Sequence, residues 1–237
     1  MSLMEIDSPL KTPAVLPRGP PGGTVYERLR HAIVEGEYAP GQRLKVAELA
    51  AAYGTSTNPV REALQLLHGE GFVVIDVNRG ARVRSIDQAF IRDVYEIVAE
   101  MEAYLIRWFA SACTRSDLEF LRHTQMQIQE LAFKDLSEFA RLDTAFHSTM
   151  YRGHYNQRAF TIWLNNRSIV KVVGKDSDIS IKRQQDIITE HQAILGALTA
   201  QDPARASEEA RKHAHGAGLQ IVERYRRQAA PIPVSRE

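Results

Sequence analysis

The feature that most constrains this chain is residues 44–67, LKVAELAAAYGTSTNPVREALQLL, whose pattern predicts two short helices joined by a tight turn. In the first helix, Leu49, Ala50 and Tyr53 fall on one apolar stripe at helical spacing. Gly54 follows this stripe, and glycine most readily adopts the left-handed backbone found at helix ends. The first helix is therefore predicted to end at this glycine.

The second helix is predicted to begin at Asn58, because asparagine is a favoured N-cap and Pro59 suits the first helical position. Its outer face carries Arg61, Gln65 and His68 at i, i+4 and i+7. Arginine binds guanine edges and glutamine binds adenine edges in a major groove, so this face can contact DNA bases. From this stretch alone, a solvated helix of a small helical domain is an equal alternative. The predicted inward positions are Val60, Ala63, Leu64 and Leu67.

A β-hairpin is predicted directly after these helices. Residues 72–75 have strand composition, residues 78–80 (NRG) indicate a turn, and residues 81–86 return as a second strand. Helices followed by a β-hairpin form a winged helix. Arg79 at the tip of the wing can contact phosphates or the minor groove.

Three segments resemble the DNA-binding domain of GntR-family transcription regulators: TVYERLRHAIVEGEYAPGQRL, VAELAAAYGTSTNPVREALQLLHGEGFV and NRGARV, within residues 24–86. The resemblance implies a winged helix-turn-helix that binds double-stranded operator DNA. Relatives commonly carry arginine just before the recognition helix, where this chain has the shorter Thr57. The residues predicted to contact DNA are Arg43, Lys45, Ser56, Thr57, Asn58, Arg61, Gln65, Arg79 and Gly80.

Composition excludes several classes of protein. The chain has 237 residues, 44% of them hydrophobic, and no apolar run long enough to span a bilayer. A signal-peptide pattern is absent and the single Cys113 excludes an intramolecular disulfide, so we expect a cytoplasmic protein with no membrane partner. The net charge of +1 does not itself indicate nucleic-acid binding, so the DNA prediction rests on where the basic residues lie. Those expected to share one face are Arg43, Lys45, Arg61, Arg79, Arg82 and Arg84.

The predicted fold is mostly α, with an N-terminal winged helix-turn-helix followed by an all-α helical bundle. Residues 1–23 are rich in proline and glycine and predict a disordered tail, and residues 229–237 predict a frayed one. The winged domain spans residues 24–86 and the bundle spans residues 87–228. The helices predicted in the bundle are 87–112, 114–133, 135–151, 156–173, 181–200 and 203–225. The residues expected on the buried side of the first are Val94, Ile97, Met101, Leu105 and Trp108.

The order of a GntR winged helix and a helical bundle resembles the FCD (FadR C-terminal domain) branch of the family. In that branch the bundle binds a small effector and contributes to a dimer, so the resemblance implies an effector and a homodimer. Many relatives have an arginine on the first bundle helix that can bind an effector carboxylate. This chain has Val98 there, although Glu102 is kept. The basic residues that can replace the missing arginine are Arg107, Arg158, Arg167 and Lys171.

Four residues of the bundle form a candidate metal site. Asp143 and His147 stand at i, i+4 on one helix, and His191 and His213 lie on two later helices. This donor set suits Zn, Ni, Mn or Fe, although spacing alone favours an ordinary surface pair. Many FCD proteins have Asp-x-x-x-His followed by two later histidines, and these four residues match, so the resemblance implies a divalent metal. His215 is expected to point away from the site.

Three classes of function compete. The leading prediction is a dimeric repressor whose operator affinity responds to a metabolite, and the net positive metal site favours an anionic, carboxylate one. A metal-dependent hydrolase is the enzyme alternative, but the chain has no HExxH, GxSxG or P-loop motif, so we predict that it is not an enzyme. A ligand-independent dimeric DNA-binding protein is the third, and it predicts no metal.

Overall fold

The computed structural model describes residues 22–76, 79–174 and 179–229, which fall into two compact units divided between Ser85 and Ile86. Most residues of the two predicted tails, 1–23 and 229–237, therefore lie outside the described residues. The elements of the first unit are α1 (Val25–Val34), β1 (Arg43–Leu44), α2 (Val46–Tyr53), α3 (Thr57–Gly69), β2 (Val73–Asp76) and β3 (Gly80–Val83). Those of the second are α4 (Gln88–Ala112), α5 (Arg115–Leu131), α6 (Leu136–Tyr151), α7 (Gln157–Gly174), α8 (Ile181–Thr199) and α9 (Pro203–Ala229).

Local residue preferences explain where α1 begins and where α2 ends. Thr24 and Glu27 form a capping box at the start of α1, because each side chain accepts a hydrogen bond from the other's backbone N–H. α2 ends at Gly54, whose φ of 65° is the left-handed conformation predicted from the sequence. Leu29, Leu49 and other apolar residues of these helices form the core of this unit.

The recognition helix α3 begins earlier than the sequence predicts. Its N-cap is Ser56 and its first residue is Thr57, so the prediction that Asn58 caps this helix was wrong. The first turn of a helix has N–H groups without intrahelical partners, so Pro59 loses no hydrogen bond there. Pro59 therefore fits the third position of the helix as well as the first, so it could not identify the first residue of α3.

Three strands form the wing in the order β1-β3-β2. β2 and β3 are antiparallel, with Val73 opposite Val83 and Asp76 opposite Gly80. The predicted second strand is shorter than expected and ends at Val83. β1 was not predicted, because two residues carry no alternating pattern. Residues 77 and 78 lie outside the described residues, but Gly80 has a φ of 77°, consistent with the predicted turn.

The second unit is a bundle in which α4 packs against both α9 and α7. Val94 and Leu105 are buried on α4 as predicted, but Ile97 is 44% exposed, so its predicted inward orientation was wrong. The buried face of α4 is rotated relative to the predicted face, and it includes Val98 and Glu102. An apolar pattern does not place a carboxylate such as that of Glu102 inside a fold. In the described part of the chain, no helix is long and apolar enough to cross a membrane.

Candidate metal centre and DNA-binding surface

Three helices bring the four predicted metal ligands together inside the bundle. Asp143 and His147 lie on α6, His191 on α8 and His213 on α9, and all four are buried. Each residue offers one ligand atom, and these atoms lie within 4.8 Å of one another. His147 Nε2 and His191 Nε2 are each 3.7 Å from Asp143 Oδ1. That spacing is too long for a hydrogen bond, but one ion with bonds of about 2.0–2.2 Å can span it.

The hydrogen bonding of the imidazoles fits a metal. Nε2 of His147 and Nε2 of His191 are buried and have no hydrogen-bond partner, a state that costs roughly 1–3 kcal/mol per atom. The Nδ1 atoms of two of the imidazoles are hydrogen-bonded to residues outside the cluster. His191 Nδ1 donates to Gln125 Oε1 at 2.7 Å, and His213 Nδ1 donates to Glu190 Oε2 at 2.8 Å. Outer acceptors of this kind leave the Nε2 lone pair free for a metal. The residues present therefore fit a divalent ion.

The third imidazole is supported by a buried polar chain that the sequence did not predict. His147 Nδ1 is 3.4 Å from the Tyr151 hydroxyl and 3.7 Å from Glu102 Oε2. Trp163 Nε1 donates to Glu102 Oε1 at 2.9 Å. Burial raises the pKa of Glu102, although the Arg167 charge opposes that shift. Glu102 therefore borders the cluster on the side away from its convergent ligand atoms.

The charges of the cluster keep its ligands in the forms that bind metals. Burial would raise the pKa of Asp143, but Arg167 and the nearby histidines outweigh it, so that pKa is lowered. Arg167 Nη2 donates to Asp143 Oδ2 at 2.5 Å. Burial lowers the pKa of His191 to about 3 and lowers that of His147 well below its usual value. Asp143 is therefore ionised, and His147 and His191 are neutral, at neutral pH.

An ion-pair clasp holds the His213 side of the cluster. Arg183 Nη1 donates to both carboxylate oxygens of Glu190 at 2.8 Å, and Arg183 Nη2 donates to the backbone oxygen of His213 at 3.3 Å. A Cβ at Gly216 would lie 3.1 Å from Arg183 Nη1 and 3.2 Å from Glu190 Oε1, so a larger residue there would press on this clasp. The clasp could not be predicted from the sequence, because the backbone oxygen of His213 that Arg183 contacts lies on another helix.

The predicted DNA contacts are all exposed on the first unit. Arg61 and Gln65 lie on the outer face of α3, opposite the buried residues Val60 and Leu64. Two other predicted basic residues are bound within the fold. Arg82 pairs with Asp76 at 3.0 Å, and Arg84 Nε donates to the backbone oxygen of Gly71 at 2.7 Å. The exposed candidates are Arg43, Lys45, Ser56, Thr57, Asn58, Arg61, Gln65, Arg79 and Gly80.

Both units match known protein families. Residues 21–83 match the bacterial regulatory proteins of the gntR family, and residues 93–216 match the FCD domain. The HTH-type transcriptional repressor RspR of Escherichia coli (strain K12) is 30% identical over 188 residues, which cover 78% of this chain and 82% of RspR. The chain belongs to the GntR family. Its FCD match includes all four residues of the cluster.

Further relatives agree with this assignment. The HTH-type transcriptional repressor GlaR of the same strain is 28% identical over 204 residues, covering 79% of this GntR chain and 90% of GlaR. A solved GntR regulator from Rhodococcus sp. RHA1 is similar at a TM-score of 0.64 and 26% identity, covering 84% of this chain and 96% of that one. The chain is therefore a transcription regulator and not an enzyme, as its sequence predicted.

Val98 of α4, where the family resemblance led us to expect an effector-binding arginine, is buried. Of the basic residues considered as replacements, Arg107, Arg158 and Lys171 are exposed, whereas Arg167 lies beside Asp143. His215 is exposed, as expected.

Proposed function

We propose that this GntR regulator is a cytoplasmic repressor whose operator affinity changes when a small anionic metabolite binds at a metal centre in the bundle. Asp143, His147, His191 and His213 would hold the ion. The observation that carries the proposal is the convergence of buried, unpaired Nε2 atoms on one carboxylate, with the opposite Nδ1 atoms held from outside. RspR and GlaR, which are repressors, support the sign of regulation.

Charge supports an anionic effector. Three neutral imidazoles and one carboxylate leave a divalent site with a net charge of about +1. The ion, which Zn, Ni, Mn or Fe can supply, would act as a Lewis acid that binds an oxygen of the metabolite.

Elemental and mass analysis of the protein, purified without chelator, tests this proposal. We expect about one divalent ion per chain and a co-purifying or added carboxylate that changes operator affinity. A protein that holds no ion, and whose operator binding is unchanged by Zn, Ni or Mn, would instead be a ligand-independent DNA-binding protein.

The two units have separate tasks in this proposal. Residues 24–86 bind the operator through α3 and the wing, while residues 87–228 bind the effector and dimerise. Effector binding changes operator affinity only if it favours one arrangement of the protein over another. Two copies would place two recognition helices on a near-palindromic operator.

Exposed apolar residues on α4 and α7 support a homodimer formed through the bundle. Ile97, Tyr104 and Ile162 are exposed, and the last two line a surface cleft of about 410 Å³ together with Met101. Ile97, Met101 and Tyr104 follow one another at i, i+4 and i+7, so they form one continuous stripe. An exposed apolar surface of this kind is typical of protein interfaces.

Replacing Arg61 is expected to weaken operator binding. Arg61→Ala should cost roughly 1–3 kcal/mol if the guanidinium contacts a base edge, and it should reduce discrimination between operator and random DNA. Arg79→Ala should weaken binding to all sequences similarly and flatten the salt dependence, because a phosphate contact carries no sequence information. Fluorescence anisotropy at two salt concentrations measures both. Unchanged operator affinity in folded Arg61→Ala protein would rule out the base contact.

Introducing a charge on the α4 stripe is expected to break the dimer. Ile97→Glu should shift the protein from dimer to monomer at micromolar concentration, because an unpaired carboxylate is strongly disfavoured in an apolar interface. Ile181→Glu is the matched control, since Ile181 is 75% exposed and lies on α8. Sedimentation velocity distinguishes the two. A wild-type monomer that shifts DNA, or a dimeric Ile97→Glu variant, would show that this stripe is not the interface.

A further inference from the structure

We propose that Glu62 of α3 selects a base of the operator, and that its carboxylate accepts a hydrogen bond from the exocyclic amino group of a cytosine in the major groove. Glu62 was not among the residues predicted to contact DNA, because an acidic side chain is an unexpected partner for a polyanion. This inference rests on the proposed binding of an operator through α3 and deepens it, because it names a residue that determines which sequence is bound.

Glu62 lies in the middle of the face of α3 that points away from the core. The residues of α3 that are buried against the core are Val60, Ala63, Leu64 and Leu67. On the opposite side, the exposed residues Asn58, Glu62 and Gln65 follow one another at i, i+4 and i+7. Arg61 lies on one flank of this line. When α3 enters a major groove with its outer face towards the bases, the Glu62 side chain is therefore directed at the base edges.

The carboxylate of Glu62 has no cationic partner in the part of the chain that the structure describes. Two other acidic side chains near the recognition helix are paired: Glu48 of α2 with Lys45, and Glu70 at the end of α3 with Arg30. An ion pair along a helix needs a basic residue three or four positions away. The residues at those positions are Asn58, Pro59, Gln65 and Leu66. No contact within the unit therefore neutralises the charge of Glu62.

An unpaired carboxylate on a DNA-binding face weakens binding unless a base compensates for it, because the phosphates of both strands repel it. An ionised carboxylate accepts hydrogen bonds and cannot donate them. In the major groove, guanine presents two acceptors, thymine an acceptor and a methyl group, and adenine an acceptor beside its amino group. Cytosine presents only its amino donor. Cytosine is therefore the base whose major-groove edge matches Glu62 best.

The preceding residue, Arg61, has the opposite requirement. Its guanidinium has donors only, and guanine is the base that presents acceptors only in the major groove. Successive side chains of a helix are separated by about 100° around its axis, so Arg61 and Glu62 can contact different bases of one half-site. We therefore expect a half-site that contains a guanine bound by Arg61 and a cytosine bound by Glu62.

Selection from a library of duplex DNA with about 20 randomised base pairs, which is long enough for two half-sites one helical turn apart, tests the inference. Full-length wild type, Glu62→Ala and Glu62→Gln are each taken through the selection. Fluorescence anisotropy then measures the affinity of each protein for the wild-type motif and for a duplex of random sequence. Glu37→Gln is the matched control, because it removes the same charge from an exposed position outside α3. Circular dichroism confirms that each variant is folded.

Wild type should select a motif with cytosine at one position of each half-site. Glu62→Ala should lose this preference, and its affinity for the wild-type motif relative to random DNA should fall roughly five- to a hundredfold, the usual effect of one base contact. Glu62→Gln should accept adenine at the same position, because an amide can donate as well as accept. Both variants should bind random DNA more tightly than wild type, since a charge that repels phosphates is removed. Glu37→Gln should select the wild-type motif.

Three outcomes overturn the inference. If Glu62→Ala selects the wild-type motif and binds every duplex more tightly by the same factor, the carboxylate only repels phosphates and selects no base. If the position that changes in Glu62→Ala is not a cytosine in the wild-type motif, the contact is a different one. A wild-type protein that selects no motif would contradict the proposed operator binding as well, so failure of the inference alone is distinguishable from failure of the proposed function.

Discussion

Removing the proposed metal with a chelator is expected to lower the melting temperature of the protein by roughly 5–10 °C. The ion would tie α6, α8 and α9 together, because its four ligands come from these three helices. A metal present at 100 times its Kd stabilises the native state by about 2.7 kcal/mol through mass action. A domain of this size changes its melting temperature by about 2–4 °C per kcal/mol. Differential scanning fluorimetry with and without chelator measures the difference.

His191→Ala should abolish most of that chelator-sensitive stability and most of the metal content. His215→Ala is the matched control, because His215 is exposed and lies two residues after the ligand His213 on α9. The winged unit should remain folded in both variants, since each substitution lies in the bundle. Equal melting temperatures with and without chelator, together with a wild-type ligand response in His191→Ala, would show that the four residues of the cluster bind no metal and are only buried polar groups.

The sequence predicted the fold well where local chemistry decides it. The helix predicted from residue 114 is α5, which starts with a capping box formed by Thr114 and Asp117, and Asp87 caps α4 through the backbone N–H of Phe90. α8 and α9 begin within a residue of their predicted starts. These elements were predictable because caps, turn residues and apolar periods act over a few neighbouring positions.

The inner surroundings of the candidate site could not be predicted in the same way. The candidate metal ligands were found through their match to a family pattern, whereas Gln125 and Glu190 were assigned no role and Arg167 was only one of four candidates for an effector arginine. Their functions depend on contacts between helices, such as the 2.7 Å bond from His191 Nδ1 to Gln125 Oε1, 66 residues away. The rotation of the buried face of α4 also depends on packing, because Glu102 is accommodated by Trp163.

Acidification is expected to destabilise the metal-free protein in the range in which histidine titrates. The pKa of His191 is about 3 in the folded protein, because burial disfavours its charged form, against an ordinary value of 6.5. The unfolded chain therefore binds more protons than the folded one between about pH 3 and 6.5. Stability contributed by neutral His191 is present above that range and is lost as the pH falls through it.

Neighbouring groups modify this dependence in known directions. His147 has a lowered pKa and adds to the loss in acid, whereas Glu102 has a raised pKa and opposes it. Asp143 has a lowered pKa and adds a further loss only at lower pH, below its unfolded value of 3.8. Arg167 remains charged throughout and disfavours protonation of both buried histidines. Comparing wild type with a His191 variant separates the contribution of His191 from those of the other groups.

The free energy of unfolding of wild type should therefore fall more steeply in acid than that of His191→Gln. One proton taken up on unfolding changes this free energy by about 1.4 kcal/mol per pH unit, which is the expected difference in slope between pH 6 and 4.5. Urea unfolding of both proteins, with chelator present, gives the two slopes, and His215→Gln serves as the exposed control. Metal-loaded wild type should lose stability even more steeply, because protons displace the ion from its imidazole ligands. Parallel slopes for wild type and His191→Gln would mean that this imidazole already titrates normally in the folded protein, and that the cluster is open to water.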